Sequence, residues 1–375
     1  MRVLVCVPDN KSLGGVHIRA MAVAEKGLKL GVHTIFAVTQ DRGEKIFTKE
    51  CVRRGFEVHE YFGRSRPSRK KNWFLTLISL FKYLIFLPFA VISFIKILKH
   101  VKPKVIHCNG LMNIVPILSG KFFRDIKVLH HLIGNHYSPI ILKFYSSISG
   151  LADEHIFISP RLKEYYSGVS KENGIILYEP LTRELKSLDK ICKKDFKHLV
   201  IGNVANYTPA KNWQLWLRIA HSISTIYPKV KFICIGKVVT GHEEYFEELK
   251  LLSKDLNIEW TGFRRNVIDH IEKFSLFLLT SKLEGTPLVL LEAASVCTPI
   301  VTSSVGGIRD MFSSEEVIFV DDFNEDNYIK QIKNIVDNDK IAQEMSKKAR
   351  KKIETKYDID CHTKQMNQIY EKIIK

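Results

Sequence analysis

Short apolar runs alternate with amphipathic stretches in the first half of the chain. RVLVCVP from Arg2 predicts a buried strand, HIRAMAVAEKGLKLG has helical spacing and ends at Gly31, and VHTIFAVT predicts the next strand. KVIHCNG, KVLHHLIG and EHIFIS predict three further strands. Strands that alternate with helices in this way form a parallel sheet covered by helices on both faces.

The same alternation starts again after a polar, lysine-rich stretch, RELKSLDKICKKDFKH. Six more strand-like runs follow, namely LVIGNVA, KFICIG, IEWTGF, SLFLLTS, PIVTSS and VIFVDD. We therefore predict an α/β chain with two doubly wound Rossmann-like domains, over 1–185 and 186–355, and a C-terminal helix over 356–375 that packs back towards the first domain. Ligands of such sheets bind at the carboxyl ends of strands, so we expect a site in a central cleft that both domains face.

The charge of the chain narrows the expected partners. It has 57 Lys and Arg against 40 Asp and Glu, a formal net charge of 57 − 40 = +17. This excess favours nucleic acid, an anionic membrane or phosphate-bearing substrates. Basic and aromatic stacking positions are not interleaved, so nucleic acid is not the expected partner. The seven cysteines form no C-x-x-C pair, so we expect neither a zinc site nor a disulfide framework, and we predict a cytoplasmic location.

One long apolar segment, Trp73–Leu98, follows the basic sequence RSRPSRKK. Its longest uncharged stretch, Tyr83–Ile95, is shorter than the roughly 20 residues that cross a bilayer. A basic cluster, an interfacial Trp and an apolar helix are typical of a segment that lies in a membrane surface. We therefore predict peripheral binding through 64–98 to the anionic inner face of the cytoplasmic membrane. The alternative is a buried core helix after a solvated loop.

Two glutamates stand eight positions apart in SKLEGTPLVLLE, residues 281–292. Glu284 precedes a Gly-Thr-Pro turn, whereas Glu292 lies in an apolar run, where a carboxylate is costly unless it has a partner. Pro287 suits the first turn of a helix, whose unpaired N–H groups attract an anion. Because carboxylates are strong acceptors for vicinal hydroxyls, the stretch predicts a site for a nucleotide sugar.

At these residues the chain resembles a known family. EGTPLVLLE resembles the E-x7-E motif of retaining GT-B glycosyltransferases, in particular glycosyltransferase family 4. LGGVHIRAMAVAEKGLKLGVHTIF is similar to the family's early Gly-Gly loop, helix and strand. Three further segments in the family's order, LADEHIFISPRL, IEWTGFRRNV and SVCTPIVTSSVGGIRDMF, extend the resemblance over most of the chain.

The resemblance implies the GT-B fold and a hexosyltransferase activity. The donor would be a UDP- or GDP-sugar, and the acceptor a glycan or polyprenyl-linked glycan, as in polysaccharide, lipopolysaccharide or capsule biosynthesis. Transfer would retain the anomeric configuration by front-face departure, without a cofactor or a metal ion.

The resemblance also implies roles for individual residues. Glu292 would bind the ribose hydroxyls, Glu284 the hydroxyls of the donor sugar, and Lys211 the diphosphate. The Gly-Gly loop would let backbone approach the diphosphate, and Phe263 would flank the base together with Arg264. The implied catalytic residues are Glu284, Lys211 and His131; the implied donor-binding residues are Gly14, Gly15, Asn206, Lys211, Phe263, Arg264, Glu284, Gly285, Thr286, Pro287, Leu288 and Glu292.

Two features depart from the family pattern. The family usually has an Arg five residues before the Lys, and here that position is Asn206, which replaces a bidentate, charged phosphate ligand poorly. A histidine that faces the donor sugar is also expected, and His130 and His131 both stand in one strand, where alternation points one inward and one outward. The alternatives are therefore a GT-B-shaped binding or scaffold subunit without turnover, and a sugar-nucleotide epimerase.

Overall fold

A computed structural model of the chain describes residues 1–7, 9–11, 13–40, 43, 45–63, 73–110, 113–133, 147–166, 174–183, 185 and 194–375, with backbone alone over 73–80. The basic residues over 64–71, which the membrane prediction includes, lie outside the described residues. The chain forms two compact units. Unit 1 comprises Met1–Thr182 and Ile359–Lys375, and unit 2 comprises Arg183–Asp358. The sequence places these boundaries after residues 185 and 355.

Unit 1 is a parallel sheet with helices on both faces. Its seven strands have the order β3-β2-β1-β4-β5-β6-β7. The strands are β1 Arg2–Cys6, β2 His33–Thr39, β3 Val58–Tyr61, β4 Val105–Asn109, β5 Lys127–Leu132, β6 Glu154–Phe157 and β7 Ile175–Ile176. The described helices are α1 Gly15–Leu28, α2 Ile46–Arg53, α3 Trp73–Val101, α4 Ile114–Gly120, α5 Pro160–Tyr165 and, from the end of the chain, α13 Ile359–Ile374.

The last helix of the chain completes the core of unit 1. Met366, Ile369 and Tyr370 of α13 belong to the same buried cluster as Val5 of β1 and Met21 of α1. Helix α1 packs its apolar stripe against the sheet and also contacts α13. Both helices therefore cover the same face of the sheet.

Unit 2 repeats the architecture. Its six strands have the order β10-β9-β8-β11-β12-β13 and all pair in parallel. They are β8 Val200–Val204, β9 Lys231–Ile235, β10 Ile258–Gly262, β11 Leu276–Leu279, β12 Ile300–Ser303 and β13 Ile318–Val320. The helices are α6 Trp213–Ile226, α7 Glu243–Leu252, α8 Val267–Ile271, α9 Leu288–Ser295, α10 Ile308–Met311, α11 Glu325–Asp337 and α12 Asp339–Lys356. The predicted pair of doubly wound parallel sheets is confirmed.

Helix α3 has one buried and one exposed apolar face. Ala90, Phe94, Ile97 and Leu98 pack into the core of unit 1. The part Phe81–Val101 is long and apolar enough to cross a membrane, although its longest uncharged stretch had indicated a shorter segment. In its most apolar window 28% is buried, so the alternative of a fully buried core helix does not describe it. We define the outer face of α3 by its exposed apolar residues, which are Phe81, Leu84, Ile85, Phe86, Phe89 and Ile92.

The described cysteines differ in state. Cys6, Cys51, Cys108, Cys234 and Cys361 are thiols and not half-cystines. Cys297 is disulfide-bonded, which the scatter of cysteines along the sequence had not predicted.

Candidate functional site

The strand order of unit 2 marks one edge of its sheet. The first strand, β8, lies between β9 and β11, so the connections leave it in opposite directions on its two sides. In doubly wound sheets ligands bind outside the carboxyl ends of the strands at this switch point. The loops that follow β8 and β11 carry Lys211 and Glu284, two of the residues predicted to bind the donor.

The loop after β8 is held in place by the loop after β11. Lys211 ends a short 3₁₀ turn, and Asn212 closes that turn in the left-handed region with φ of 54°. The hydroxyl of Thr280 donates to the carbonyl oxygens of Lys211 and Asn212, at 3.3 and 3.2 Å. The Lys282 N–H donates to the Ala210 carbonyl at 2.9 Å. The backbone of Lys211 is therefore fixed by residues next to Glu284 in sequence.

The two predicted ligands form an ion pair. Lys211 Nζ donates to Glu284 Oε1 at 2.6 Å, and the Ser281 hydroxyl donates to the same oxygen at 2.6 Å. The Glu284 side chain is 8% exposed and that of Lys211 24%. A phosphate that binds Lys211 would therefore bind a lysine that is already paired with a buried carboxylate.

Two glycines hold the loop that carries Glu284. Gly307 N–H donates to the Gly285 carbonyl at 3.0 Å. A Cβ at Gly306 would overlap the carbonyl of Glu284, and one at Gly307 would overlap that of Gly285. Gly306 also has φ of 60°, a conformation that glycine adopts without steric cost. This close approach explains why GG stands in SSVGGIRD, after β12.

The helix that carries Glu292 begins one residue after Pro287. Pro287 is the N-cap, with φ of −70° and ψ of 102°, and no side chain caps the helix or places an acid in its first turn. The prediction that Pro287 lies inside the first turn is therefore wrong by one position. The backbone N–H groups at the start of α9 therefore have no side-chain cap and can donate to backbone or ligand acceptors.

Glu292 is half-buried among the apolar residues of α9. Burial raises the pKa of its carboxyl to about 7, and nearby Arg183 acts in the opposite direction. The Arg183 guanidinium is held by the Asn266 side chain at 3.0 Å and by the Arg265 carbonyl. The sequence prediction that this carboxylate is costly without a partner agrees with the direction of the pKa shift.

Three other predicted donor-binding residues of unit 2, Asn206, Phe263 and Arg264, are exposed, whereas Gly285, Thr286 and Leu288 are half-buried and Pro287 is buried. The carbonyl of Asn206 accepts a hydrogen bond from Trp213 Nε1 at 3.0 Å, and its side chain is exposed. Phe263, after β10, is 65% exposed, and the Arg264 guanidinium donates to the neighbouring Phe263 carbonyl at 3.3 Å. An exposed ring beside a guanidinium is suited to stacking on a base.

The Gly-Gly loop of unit 1 stands at the start of α1. Gly14 is the N-cap, and a Cβ there would meet only His17 Nδ1, at 3.8 Å. His17 is 3% exposed; its Nδ1 accepts from Gly14 N–H at 3.3 Å and its Nε2 donates to the Asp9 carbonyl at 2.9 Å. His17 therefore ties both ends of the loop that leads to Gly15. The fold itself leaves room at Gly14, so this position is open to a ligand.

Both histidines of β5 are fully buried. His130 bonds to the Ser149 hydroxyl at 2.8 Å and the Gly110 carbonyl at 2.9 Å. His131 Nε2 lies 3.3 Å from the Arg19 guanidinium, and its Nδ1 lies 3.3 Å from His107 Nε2. Strand alternation predicted one inward and one outward histidine. This prediction is wrong, because helices cover both faces of the sheet and bury both side chains.

The part of the chain that matches a known protein family lies in unit 2. Residues 187–352 match the family of glycosyl transferases group 1. Among curated relatives, the chain is 28% identical over 223 residues to the UDP-Gal:alpha-D-GlcNAc-diphosphoundecaprenol alpha-1,3-galactosyltransferase of Escherichia coli, covering 56% of each chain. It is 29% identical over 114 residues to the Vi polysaccharide biosynthesis protein VipC/TviE of Salmonella typhi, covering 30% of this chain and 19% of that protein. The alignments thus span about half or less of these relatives.

Solved structures match the whole chain. Anabaena Alr3699/HepE in complex with UDP superposes with a TM-score of 0.78 at 14% identity, over 99% of this chain and 100% of that one. The same protein with UDP-glucose gives 0.76 at 15% identity, over 99% and 100%. The fold is GT-B. Within this fold, residues 187–352 match the glycosyl transferases group 1 model.

Sequence reasoning missed four groups beside the predicted site residues, three of them in unit 2 and one in unit 1. Ser281 and the Gly306–Gly307 pair hold Glu284, and Arg183 lies near Glu292. In unit 1, Arg19 is 3% exposed and its guanidinium bonds to Glu179 and Asn109 besides contacting His131. An Arg on the apolar stripe of α1 was the available signal, because a buried charge requires a partner.

Proposed function

We propose that this protein is a retaining glycosyltransferase of family 4 that moves a hexosyl group from a nucleoside diphosphate sugar to a glycan or polyprenyl-linked acceptor. The observation that carries the proposal is the Lys211–Glu284 pair, which joins the two loops at the switch point of unit 2. A cation for a diphosphate and a carboxylate for sugar hydroxyls stand side by side there. The names of the relatives, which include a transferase to a diphosphoundecaprenol-linked sugar, support the acceptor class.

The donor groups match the chemistry of these residues. The leaving diphosphate gains negative charge as the bond to the anomeric carbon breaks, and Lys211 and the start of α9 stabilise it electrostatically. Glu292 accepts from ribose hydroxyls, and Phe263 with Arg264 flanks the base. We propose UDP rather than GDP, because the superposable Anabaena structures contain UDP and UDP-glucose. Because Lys211 and the start of α9 stabilise the diphosphate, the proposed reaction uses neither a metal ion nor a cofactor.

Transfer by purified variants tests the site. Lys211→Ala and Glu292→Ala are each expected to lower sugar transfer at least about tenfold, roughly 1.4 kcal/mol of transition-state stabilisation. The measurement is transfer from a panel of UDP-, GDP- and ADP-sugars to membrane-lipid and glycan acceptors. The matched controls are Lys229→Ala and Glu244→Ala, which alter exposed residues of unit 2. Wild-type activity in both site variants would refute the assignment.

Asn206 favours a second candidate, a binding subunit without turnover. One cation expected on the diphosphate is replaced by an exposed neutral amide, which weakens phosphate binding. Isothermal titration with UDP and UDP-sugars, together with an assay of donor hydrolysis and of donor epimerisation, separates the possibilities. Nucleotide binding without transfer or hydrolysis would support the binding subunit, and conversion of donor alone would support an epimerase.

We also propose that the protein binds peripherally to the inner face of the cytoplasmic membrane. The outer face of α3 presents six exposed apolar side chains, and the Phe62 ring lies 6.0 Å from that of Phe86. The opposite face of the same helix is in the core of unit 1, which favours a helix lying in the interface over one crossing the bilayer. The net charge of +17 adds attraction to anionic lipid.

Liposome flotation tests the membrane proposal. The wild type is expected to float with vesicles containing phosphatidylglycerol and much less with phosphatidylcholine alone. Phe86→Ser combined with Phe89→Ser is expected to reduce recovery at least fivefold, whereas Leu251→Ser, at an exposed residue of unit 2, leaves it unchanged. Equal recovery with both lipids, none with either, or normal flotation of the double variant would contradict the proposal.

A further inference from the structure

Three potential metal ligands meet at the edge of the sheet in unit 1. Glu57 stands directly before β3 and His59 lies within it, so they project to the same face two residues apart. His100 belongs to the last turn of α3. One ligand atom from each of the three residues lies within 4.8 Å of the other two.

The side chains of Glu57, His59 and His100 lie close to one another. His59 Nε2 lies 2.7 Å from Glu57 Oε1. The rings of His59 and His100 have centroids 5.6 Å apart and an interplanar angle of 71°. Glu57 and His100 are exposed and His59 is half-buried, so the side chains can adjust to a shared ion and solvent can supply its remaining ligands.

We propose that Glu57, His59 and His100 form a binding site for a first-row transition-metal ion, of which Zn²⁺ is the natural test ion. Two imidazoles and one carboxylate suit Zn²⁺, Ni²⁺, Cu²⁺ or Co²⁺, whereas Mg²⁺ and Ca²⁺ prefer oxygen ligands. Tetrahedral Zn²⁺ ligands at about 2.0–2.1 Å stand roughly 3.3 Å apart. The ligand atoms now lie within 4.8 Å of one another, so changes in the side-chain torsions of Glu57, His59 and His100 would bring them to that spacing.

A bound ion would connect an edge strand of unit 1 to the helix that carries the proposed membrane-contacting face. Among the strands that the structure describes, β3 is at the edge of the sheet and pairs with β2. The ion would link this edge to the end of α3, whose outer face we propose to contact the membrane. Because the ion binds the folded form, it stabilises unit 1 by mass action. The site contains none of the residues assigned to sugar transfer, so its test is independent of that proposal.

Calorimetry and thermal unfolding of the full chain test this site. Metal-free protein carrying Cys361→Ser, which removes an exposed thiol, is titrated with ZnCl₂ and, separately, with MgCl₂. We expect saturable binding of one Zn²⁺ per chain, a higher midpoint of thermal unfolding with Zn²⁺, and no effect of Mg²⁺. His59→Ala and His100→Ala should each weaken Zn²⁺ binding at least about tenfold.

A matched control and a spectrum separate the site from adventitious binding. His198→Ala removes another exposed histidine next to a carboxylate, Asp195, and should leave Zn²⁺ affinity unchanged. Co²⁺ absorption in the visible range should appear in the parent and the His198 variant and disappear in the His59 and His100 variants, whose folding is checked by circular dichroism. Zn²⁺ affinity unchanged in both variants, or absence of saturable binding, would overturn the proposal.

Discussion

Single residues of the candidate site differ mainly in how their charge is balanced. Glu284 is buried but has a lysine and a hydroxyl at 2.6 Å. Glu292 lies among apolar residues of α9, and burial raises the pKa of its carboxyl to about 7. The two glutamates of one motif thus have different surroundings, because Glu284 is paired with a lysine whereas burial dominates at Glu292.

The protonation of Glu292 predicts a pH-dependent donor affinity. Below its raised pKa the carboxyl is neutral and loses acceptor capacity for ribose hydroxyls, so affinity should fall as pH decreases. With a pKa of about 7, the ionised fraction falls about tenfold between pH 8 and pH 6. Titration calorimetry with UDP-glucose, which has no phosphate titrating in this range, should show a decrease of similar size.

Glu292→Gln provides the control for this effect. The amide binds hydroxyls more weakly but does not titrate, so its affinity for UDP-glucose should be the same at pH 8 and pH 6. A pH-independent wild type, or an equal pH dependence in the variant, would show that another group is responsible.

At the scale of elements, the site depends on two loops packed without space between them. The loop after β11 carries Glu284, and the loop after β12 contacts it through Gly306 and Gly307. Closely apposed backbones transmit small displacements, because no side chain can yield between them. The position of Glu284 therefore depends on residues more than 20 positions further along the chain.

Gly306→Ala tests this packing. The new Cβ would overlap the Glu284 carbonyl and displace the loop, so UDP-glucose affinity should fall at least about tenfold, roughly 1.4 kcal/mol. Gly241→Ala is the matched control, since Gly241 also has positive φ, at 87°, but nothing lies within 4 Å of a Cβ there. Both variants bear the same kind of backbone strain. Equal loss of affinity in the two would refute the role of the contact.

At the scale of the whole molecule, the two units differ in their buried histidines. His107, His130, His131 and His362 of unit 1 are buried, and burial lowers the pKa of each imidazole, to about 3 for His130 and His362. None of the four histidines of unit 2 is buried. Acidification therefore affects the two units unequally.

The sign of this effect follows from the depressed pKa values. Unfolded histidines take up protons below about pH 6.5, whereas the folded ones resist until about pH 3 for His130 and His362. The contribution to stability is present above pH 6.5 and is lost progressively as pH falls towards 3. Hydrogen exchange by mass spectrometry at pH 7 and pH 5, corrected for the intrinsic rates, should show a larger loss of protection in peptides of unit 1 than of unit 2. An equal loss would contradict this prediction.

The periodic pattern of the sequence determined the class of the fold. Both alternating series of strands and helices formed parallel sheets because a strand buried on both faces needs a continuous apolar run, such as VLVC or LFLL. The motif around Glu284 and Glu292 also predicted a charged site at a strand end, and the structure places Lys211 against Glu284 there.

Tertiary structure alone decided how charges and backbones met. Two of these features join residues that are distant in sequence, namely the ion pair of Arg19 and the contact of Gly306 with the Glu284 loop. Two others depend on what covers a face of the sheet or helix, namely the burial of His130 and His131 and the exposure of the outer face of α3. Local sequence sets the direction in which a side chain points, but not what stands opposite it. The sequence by itself therefore determined the sheets and the residue types of the site, while packing decided which of those residues are paired, buried or open to a ligand.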